Sequence, residues 1–100
     1  MDRTQAFETI VTGEVQGGTT RARLPNIPCS LVNIKAQTGN ATNVYLGGAL
    51  VEVPDGTTDE VSGFVLDAGQ ETGWIAIGNL NQLWMISDVN GYDIVYMALR

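Results

Sequence analysis

The stretch Asn33–Val53, NIKAQTGNATNVYLGGALVEV, decides how this chain is read. It holds two short runs of strand-forming residues separated by Gly-Asn-Ala-Thr-Asn, a cluster of turn formers. In the first run Val32 and Ile34 lie on the side opposite Asn33 and Lys35. In the second, Val44 and Leu46 oppose Asn43 and Tyr45. A period of two is the signature of a pleated strand with one face in a core. None of these side chains is equipped for chemistry, so the best-formed segment of the protein is scaffold.

The same grammar runs outward from this stretch. Strands are expected at Phe7–Val15, Thr19–Leu24, Ser30–Ala36, Asn43–Leu46, Leu50–Val53, Gly63–Leu66, Gly73–Ile77, Gln82–Asp88 and Tyr92–Leu99, rich in Val, Ile, Thr, Trp and Tyr. Their connections are explicit. VPDGTTDE carries Pro54 and Gly56, LPNIPC is an extended proline-bounded link, and Asn90-Gly91 in DVNGYD is the strongest short hairpin signal. No apolar stripe with a period near 3.6 lasts two turns. The expected fold is all-β, a compact antiparallel β-sandwich or jelly-roll-like barrel of short strands with little or no helix. Residues 1–100 read as a single domain, with 1–22 an N-terminal arm or extra hairpin.

Composition limits the function. The chain has 100 residues, 44% of them hydrophobic and only 16% charged. That is too apolar for disorder and poor in charge for a freely solvated surface, so part of the surface is expected to be covered by a partner. A formal net charge of -6 repels phosphate backbones and anionic lipid, which argues against nucleic-acid and membrane partners. Histidine is absent and cysteine occurs once, at Cys29. Zinc sites built from Cys and His, an intrachain disulfide and the commonest general base are thereby excluded. Cys29, at the mouth of an apolar run, is expected to be a core residue. MDRTQAFETI lacks the apolar segment of a secretory leader, and no run approaches the roughly 20 apolar residues of a membrane span. The chain is expected to be made and kept in a reducing compartment unless it leaves the cell by another route.

Candidate chemistry is sparse. Asp55, Asp59 and Glu60 cluster in one loop, but their spacing fits no EF-hand, and a solvated turn is the expectation. Glu8, Asp67 and Glu71 have no fixed separation to serve as paired acids. GEVQGG and LGGAL match neither a phosphate loop nor a dinucleotide fingerprint, and Lys35 is the only lysine. Asn40-Ala41-Thr42 has the form of a glycosylation acceptor and reads as a turn. Trp74, Trp84, Tyr45, Tyr92 and Tyr96 compose a sugar-stacking platform only if exposed. Both tryptophans lie inside apolar runs and are expected in the core. No catalytic residue, cofactor or metal is expected.

The closing segment is apolar on both sides. Leu83 and Met85 oppose Trp84 and Ile86, while Val95, Met97 and Leu99 oppose Ile94, Tyr96 and Ala98. A half-solvated strand alternates apolar with polar, so one side is expected to fill the core and the other to be covered. Read as one hairpin, Gln82–Asp88 and Tyr92–Leu99 are the expected assembly surface, with Trp84, Ile86, Tyr96 and Ala98 as contacts, or the opposite face of the same strands. Asp2–Ile10, with Phe7 and Ile10, is the second candidate contact. Asp88, Asp93 and Arg100 flank these runs as gatekeepers against aggregation. Arg21, Arg23 and Arg100 could meet an acidic partner surface, at little gain each.

RLPNIPCSLVNIKAQTGNATNVYLGG, TGWIAIGNLNQLWMIS and DIVYMAL, in that order, resemble the small virion proteins of tailed bacteriophages. The likeness spans about Arg23 to Leu99 and is a pattern of strands and turns, with no catalytic signature. It points best to a capsid decoration, or cement, protein. The resemblance implies a non-enzymatic chain that binds the outer surface of the shell and bridges neighbouring major capsid subunits. It also implies a homotrimer, located on the virion after synthesis in the host cytoplasm. A head-tail connector or tail-associated protein, and a β-sandwich module for host glycans, are the alternatives.

Overall fold

The computed structural model describes residues 9–40 and 43–100. Eight strands are formed: β1 (Ile10–Gly17), β2 (Ala22–Arg23), β3 (Leu31–Ala36), β4 (Val44–Gly47), β5 (Phe64–Leu66), β6 (Glu71–Ala76), β7 (Trp84–Ser87) and β8 (Tyr92–Leu99). They make two four-stranded sheets, ordered β1-β8-β3-β6 and β2-β7-β4-β5. Every ladder between strands is antiparallel. The protein is thus all-β with a sandwich-like arrangement. No helix of the described residues is long and apolar enough to cross a membrane.

The core is made by the period-two faces anticipated from the sequence. Val32, Ile34 and Ala36 of β3 and Ile94 and Ala98 of β8 point inward from the long sheet. Val44 and Leu46 of β4, Leu66 of β5 and Met85 of β7 meet them from the short sheet. Leu24 and Leu80, on the connections, close the sides. Full burial of such a side chain is worth about 1.5–3 kcal/mol each, offset by chain entropy.

The connection at Asn90-Gly91 departs from the expected hairpin. Gly91 takes a positive φ of 90°, as the dipeptide demands, but the strands it joins are not neighbours. β7 pairs with β2 and β4, whereas β8 pairs with β1 and β3. The N-terminal segment explains why. β1 follows β8, and β2 follows β7, so the two chain ends form one antiparallel ribbon bent across both sheets. At the bend Ser87 N–H donates to Gly18 O (2.9 Å) and Gly91 N–H to Gly17 O (3.0 Å). The Asn90 side-chain oxygen accepts from Thr19 N–H at 3.0 Å. Asn90 and Gly91 are engaged by the facing bend, while Val89 O accepts from the Ser87 hydroxyl at the end of β7 (2.7 Å).

Other differences are local. Leu50–Val53 is not a strand; it contributes only the Glu52–Ser62 bridge, inside the connection between β4 and β5. Leu80–Gln82 is a 3-10 turn, where the predicted strand Gln82–Asp88 begins. Asn79 caps it through Asn81 N–H, and the Gln82 side chain returns to Asn79 N–H at 3.1 Å. That reciprocal pattern is a capping box. Strand β8 has the predicted bounds.

Asn40 is not presented to solvent as an acceptor for a sugar. It is 8% exposed, its amide nitrogen donates to Asp93 O (3.0 Å), and its oxygen accepts from Asp93 N–H (3.1 Å). One side chain completes the backbone pairing where β8 begins. Asn40→Ala leaves Asp93 N–H without its acceptor, whereas Asp93 O keeps the Gln37 N–H at 3.1 Å, and a stability loss of roughly 1–3 kcal/mol is expected in urea unfolding; a change below a few tenths would show that water replaces the clamp.

Candidate functional site

Strand parity determines which residues reach the surface of the long sheet. Directly paired residues share a face. Because Ile94 and Ala98 are buried, their neighbours Val95, Met97 and Leu99 point outward. The ladders extend this outer layer sideways. Leu99 lies between Ile10 and Leu31, with Ala76 beyond. Met97 lies between Thr12 and Asn33, with Trp74 beyond. Val95 lies between Glu14 and Lys35, with Glu71 beyond.

The outer layer therefore runs from an apolar end to a polar end. Ile10 is 64% exposed, Trp74 50% and Met97 40%. Contiguous apolar surface of this kind marks a contact site more often than isolated exposed residues do. At the polar end Asn33 donates to Glu71 (2.9 Å), and Gln37 reaches across to Glu14 (3.0 Å). Between the ends lies a shallow groove of about 540 Å3 in which Trp74 and Met97 face Glu14, Asn33, Lys35 and Glu71.

The outer layer of the short sheet is different. Tyr45, Ile86 and Val65 share a ladder row that points outward, yet Tyr45 is buried. The connection between β4 and β5 folds back over it. Glu52 N–H donates to Val61 O and Gly63 N–H to Glu52 O, both at 2.8 Å. Gly63 lies where any added Cβ would strike Tyr45 (2.5 Å) and Val51 (3.0 Å). Val51 is buried beneath this flap, and Arg21 Nε donates to its carbonyl at 2.7 Å. The short sheet thus carries a partial cover supplied by its own chain.

The predicted contacts separate accordingly. Trp84 and Ile86 lie on the flap-bearing side of the short sheet, each half-buried, with the Arg23 guanidinium 5.8 Å from the Trp84 ring centre. Tyr96 points inward, packs against the core and lies over Gly13. Ala98 is 1% exposed, so the structure removes it from any surface contact. The reason is β8's placement between β1 and β3, which commits Ile94, Tyr96 and Ala98 to the inner layer. Ile10 is on the exposed apolar end. Phe7 lies outside the described residues. The expectation that both tryptophans belong to the core is corrected too: Trp74 is half exposed, because its pairing with Asn33 puts it on the outward row.

Glu52, Asp55 and Asp59 bring carboxylate oxygens within 4.8 Å of one another and are the described residues placed to meet a cation; Glu60 is replaced by Glu52 in this trio. All three are exposed. The aspartates are engaged in shaping the loop: Asp55 accepts from Thr57 N–H (2.8 Å), and Asp59 from Val61 N–H, Ser62 N–H and the Ser62 hydroxyl (3.0–3.1 Å). The hydrogen bonds from Thr57 hold the Asp55 carboxyl below its usual range. Burial pushes the Cys29 thiol up, against smaller opposing effects of a hydrogen bond from the Leu80 backbone and the Arg100 charge. Its sulfur lies 3.5 Å from Ile77 O, to which it donates. Such a thiol is a weak nucleophile. The chain matches no protein-family model, no curated protein and no solved structure.

Two measurements follow. Trp74→Ala should change unfolding stability by no more than about 1 kcal/mol, whereas Leu66→Ala should cost roughly 2–5 kcal/mol; comparable losses would place Trp74 in the core. Alkylation of Cys29 by iodoacetamide at pH 8 should be slower than that of a free cysteine, and should accelerate only as pH rises beyond the usual thiol range. Equal rates would mean that its thiol is unperturbed.

Proposed function

We propose that this chain is a non-enzymatic structural protein that docks through the outer layer of the β1-β8-β3-β6 sheet, and that its partner is the capsid shell of a tailed bacteriophage. The observation that carries the docking is the apolar end of that sheet, Ile10, Trp74, Met97 and their neighbours, over which none of the described residues lies, beside a second sheet that already has a partial cover of its own. Apolar area released from water on contact is worth about 25 cal/mol per Å2 before association costs. The phage assignment rests on the sequence resemblance described above. A decoration protein bridging neighbouring major capsid subunits has no reaction to catalyse, which suits a chain without histidine and with one weakly nucleophilic thiol. Bridging strengthens a shell because each copy links two subunits, and many copies act together. The resemblance implies a trimer, but docking through this sheet does not depend on the number of copies in the unit. A connector or tail position is the alternative within the same reading, and copy number per particle separates them.

One observation favours a second reading as a glycan-binding module. The half-exposed Trp74 ring stands in a groove beside Asn33, Lys35 and Glu71, and an aromatic face flanked by hydrogen-bonding side chains suits a sugar ring.

Mixing the purified chain with undecorated shells and imaging the particles tests the reading. Ordered density repeated over the whole shell is expected, and Met97→Glu should abolish it while the far-UV spectrum stays that of the native fold. Bare shells would overturn the decoration assignment. Binding of the unaltered chain to a glycan array, lost in Trp74→Ala, would favour the second reading.

A further inference from the structure

Among the described residues, three of the four sheet edges are guarded and one is not. On the short sheet, β2 has two residues and β5 three, too short to template another strand. On the long sheet, β6 is irregular where it pairs with β3 between Asn33 and Lys35, and Gly73 there takes a positive φ of 78°. Short length and bulges are how natural sheets protect their edges. The fourth edge, β1, has eight residues in unbroken register with β8. It contains no proline, lysine or arginine, and Glu14 is its single charge.

Its free groups can be assigned. Thr9 and Arg100 exchange both of their backbone hydrogen bonds, at 3.2 and 3.1 Å. Antiparallel ladders alternate bonded and non-bonded pairs, so the N–H and C=O of Ile10, Thr12, Glu14 and Gln16 point away from β8. Among the described residues no strand lies on that side.

We propose that β1 pairs antiparallel with β1 of a second copy about a twofold axis at Gly13, joining two long sheets into one. Side-chain parity limits the register. Val11, Gly13 and Val15 must stay on the inner layer, so only shifts of two residues are open. With Gly13 opposite Gly13, Thr12 meets Glu14 of the second copy, Ile10 meets Gln16, and Val11 meets Val15. Every outward-pointing residue of β1 then finds a partner, and no like charges face each other. A shift one way sets Glu14 against Glu14, which is destabilising. A shift the other way sets the apolar Ile10 against the charged Glu14 and leaves Gln16 without a described partner in the opposing strand. The interface is isologous, the commonest symmetry for a dimer. Because the axis stands perpendicular to the sheet, both apolar outer layers face the same side, and the unit presents two docking faces to one partner surface. This pairing is independent of the identity of that surface and is tested without it.

The test is the mass of the full chain in solution by light scattering and native mass spectrometry, with the dissociation constant from dilution. A two-chain species is expected. Thr12→Lys should tighten it and Thr12→Glu weaken it, each by at least about threefold, since the substituted charge faces Glu14 twice per dimer. Thr12→Pro removes an outward-pointing donor, which an edge strand tolerates, and should give a folded monomer with a native near-UV spectrum. A single-chain or three-chain mass for the unaltered protein overturns the pairing. So does a dimer that survives Thr12→Pro, or one that both charge changes move in the same direction. Failure here leaves shell docking standing, and bare shells with an intact dimer leave the pairing standing.

Discussion

The position of β8 between β1 and β3 is the constraint on which the rest of the structure depends. Once Ile94 and Ala98 are fixed in the core, period-two geometry leaves no choice about Val95, Met97 and Leu99. They go outward, and the ladders carry Ile10, Leu31 and Trp74 out with them. The inner layer is satisfied by the second sheet. The outer layer has nothing from the described residues lying over its apolar end. A strand that is apolar on both sides thus places one apolar face in the core and leaves the other on the outer layer of its sheet.

The two sheets resolve the same problem differently. The outward row of the short sheet is partly covered by the flap between β4 and β5, tied down by Arg21 at the Val51 carbonyl and by the pairing of Glu52 with Val61 and Gly63. The carboxylates of Asp55 and Asp59 serve that flap as local acceptors. The ion pair between Arg21 and Glu52 is long, at 3.9 Å, and exposed, so it contributes little. What holds the cover is backbone hydrogen bonding and the burial of Tyr45 and Val51. Among the described residues the long sheet has no such flap, and this asymmetry is the ground for proposing its outer layer as a docking surface.

Much of the fold was legible because it follows from local rules. Alternation in Val32–Ala36 and Val44–Leu46 gave the inward faces, and Tyr92–Leu99 was bounded by its turn on one side. Partner choice was not legible. Asn90-Gly91 carries the chemistry of a two-residue hairpin, but the bend it makes is matched by Gly17-Gly18-Thr19, seventy residues away in sequence, and no local signal reports that match. Ala98, on one of the two faces offered as contacts, is buried for the same reason: the sequence shows that β8 has two apolar faces but not which one turns inward. Trp74 was assigned inward from its apolar neighbours, though its own row, with Asn33 and Met97, faces out. The capping box at Asn79–Gln82 was readable from Asn-Leu-Asn-Gln, and marks where a strand had to start later than expected.

The central physical claim is that the outer layer of the long sheet is a contact surface. Oxidative footprinting tests it at residue resolution, since Met97 and Trp74 are both exposed in the single chain and both oxidisable. With the chain bound to shells, the two should lose most of their reactivity, while Val89 and Leu50, exposed elsewhere, keep theirs. Met97 and Trp74 oxidising as fast on the particle as in free solution would contradict the claim.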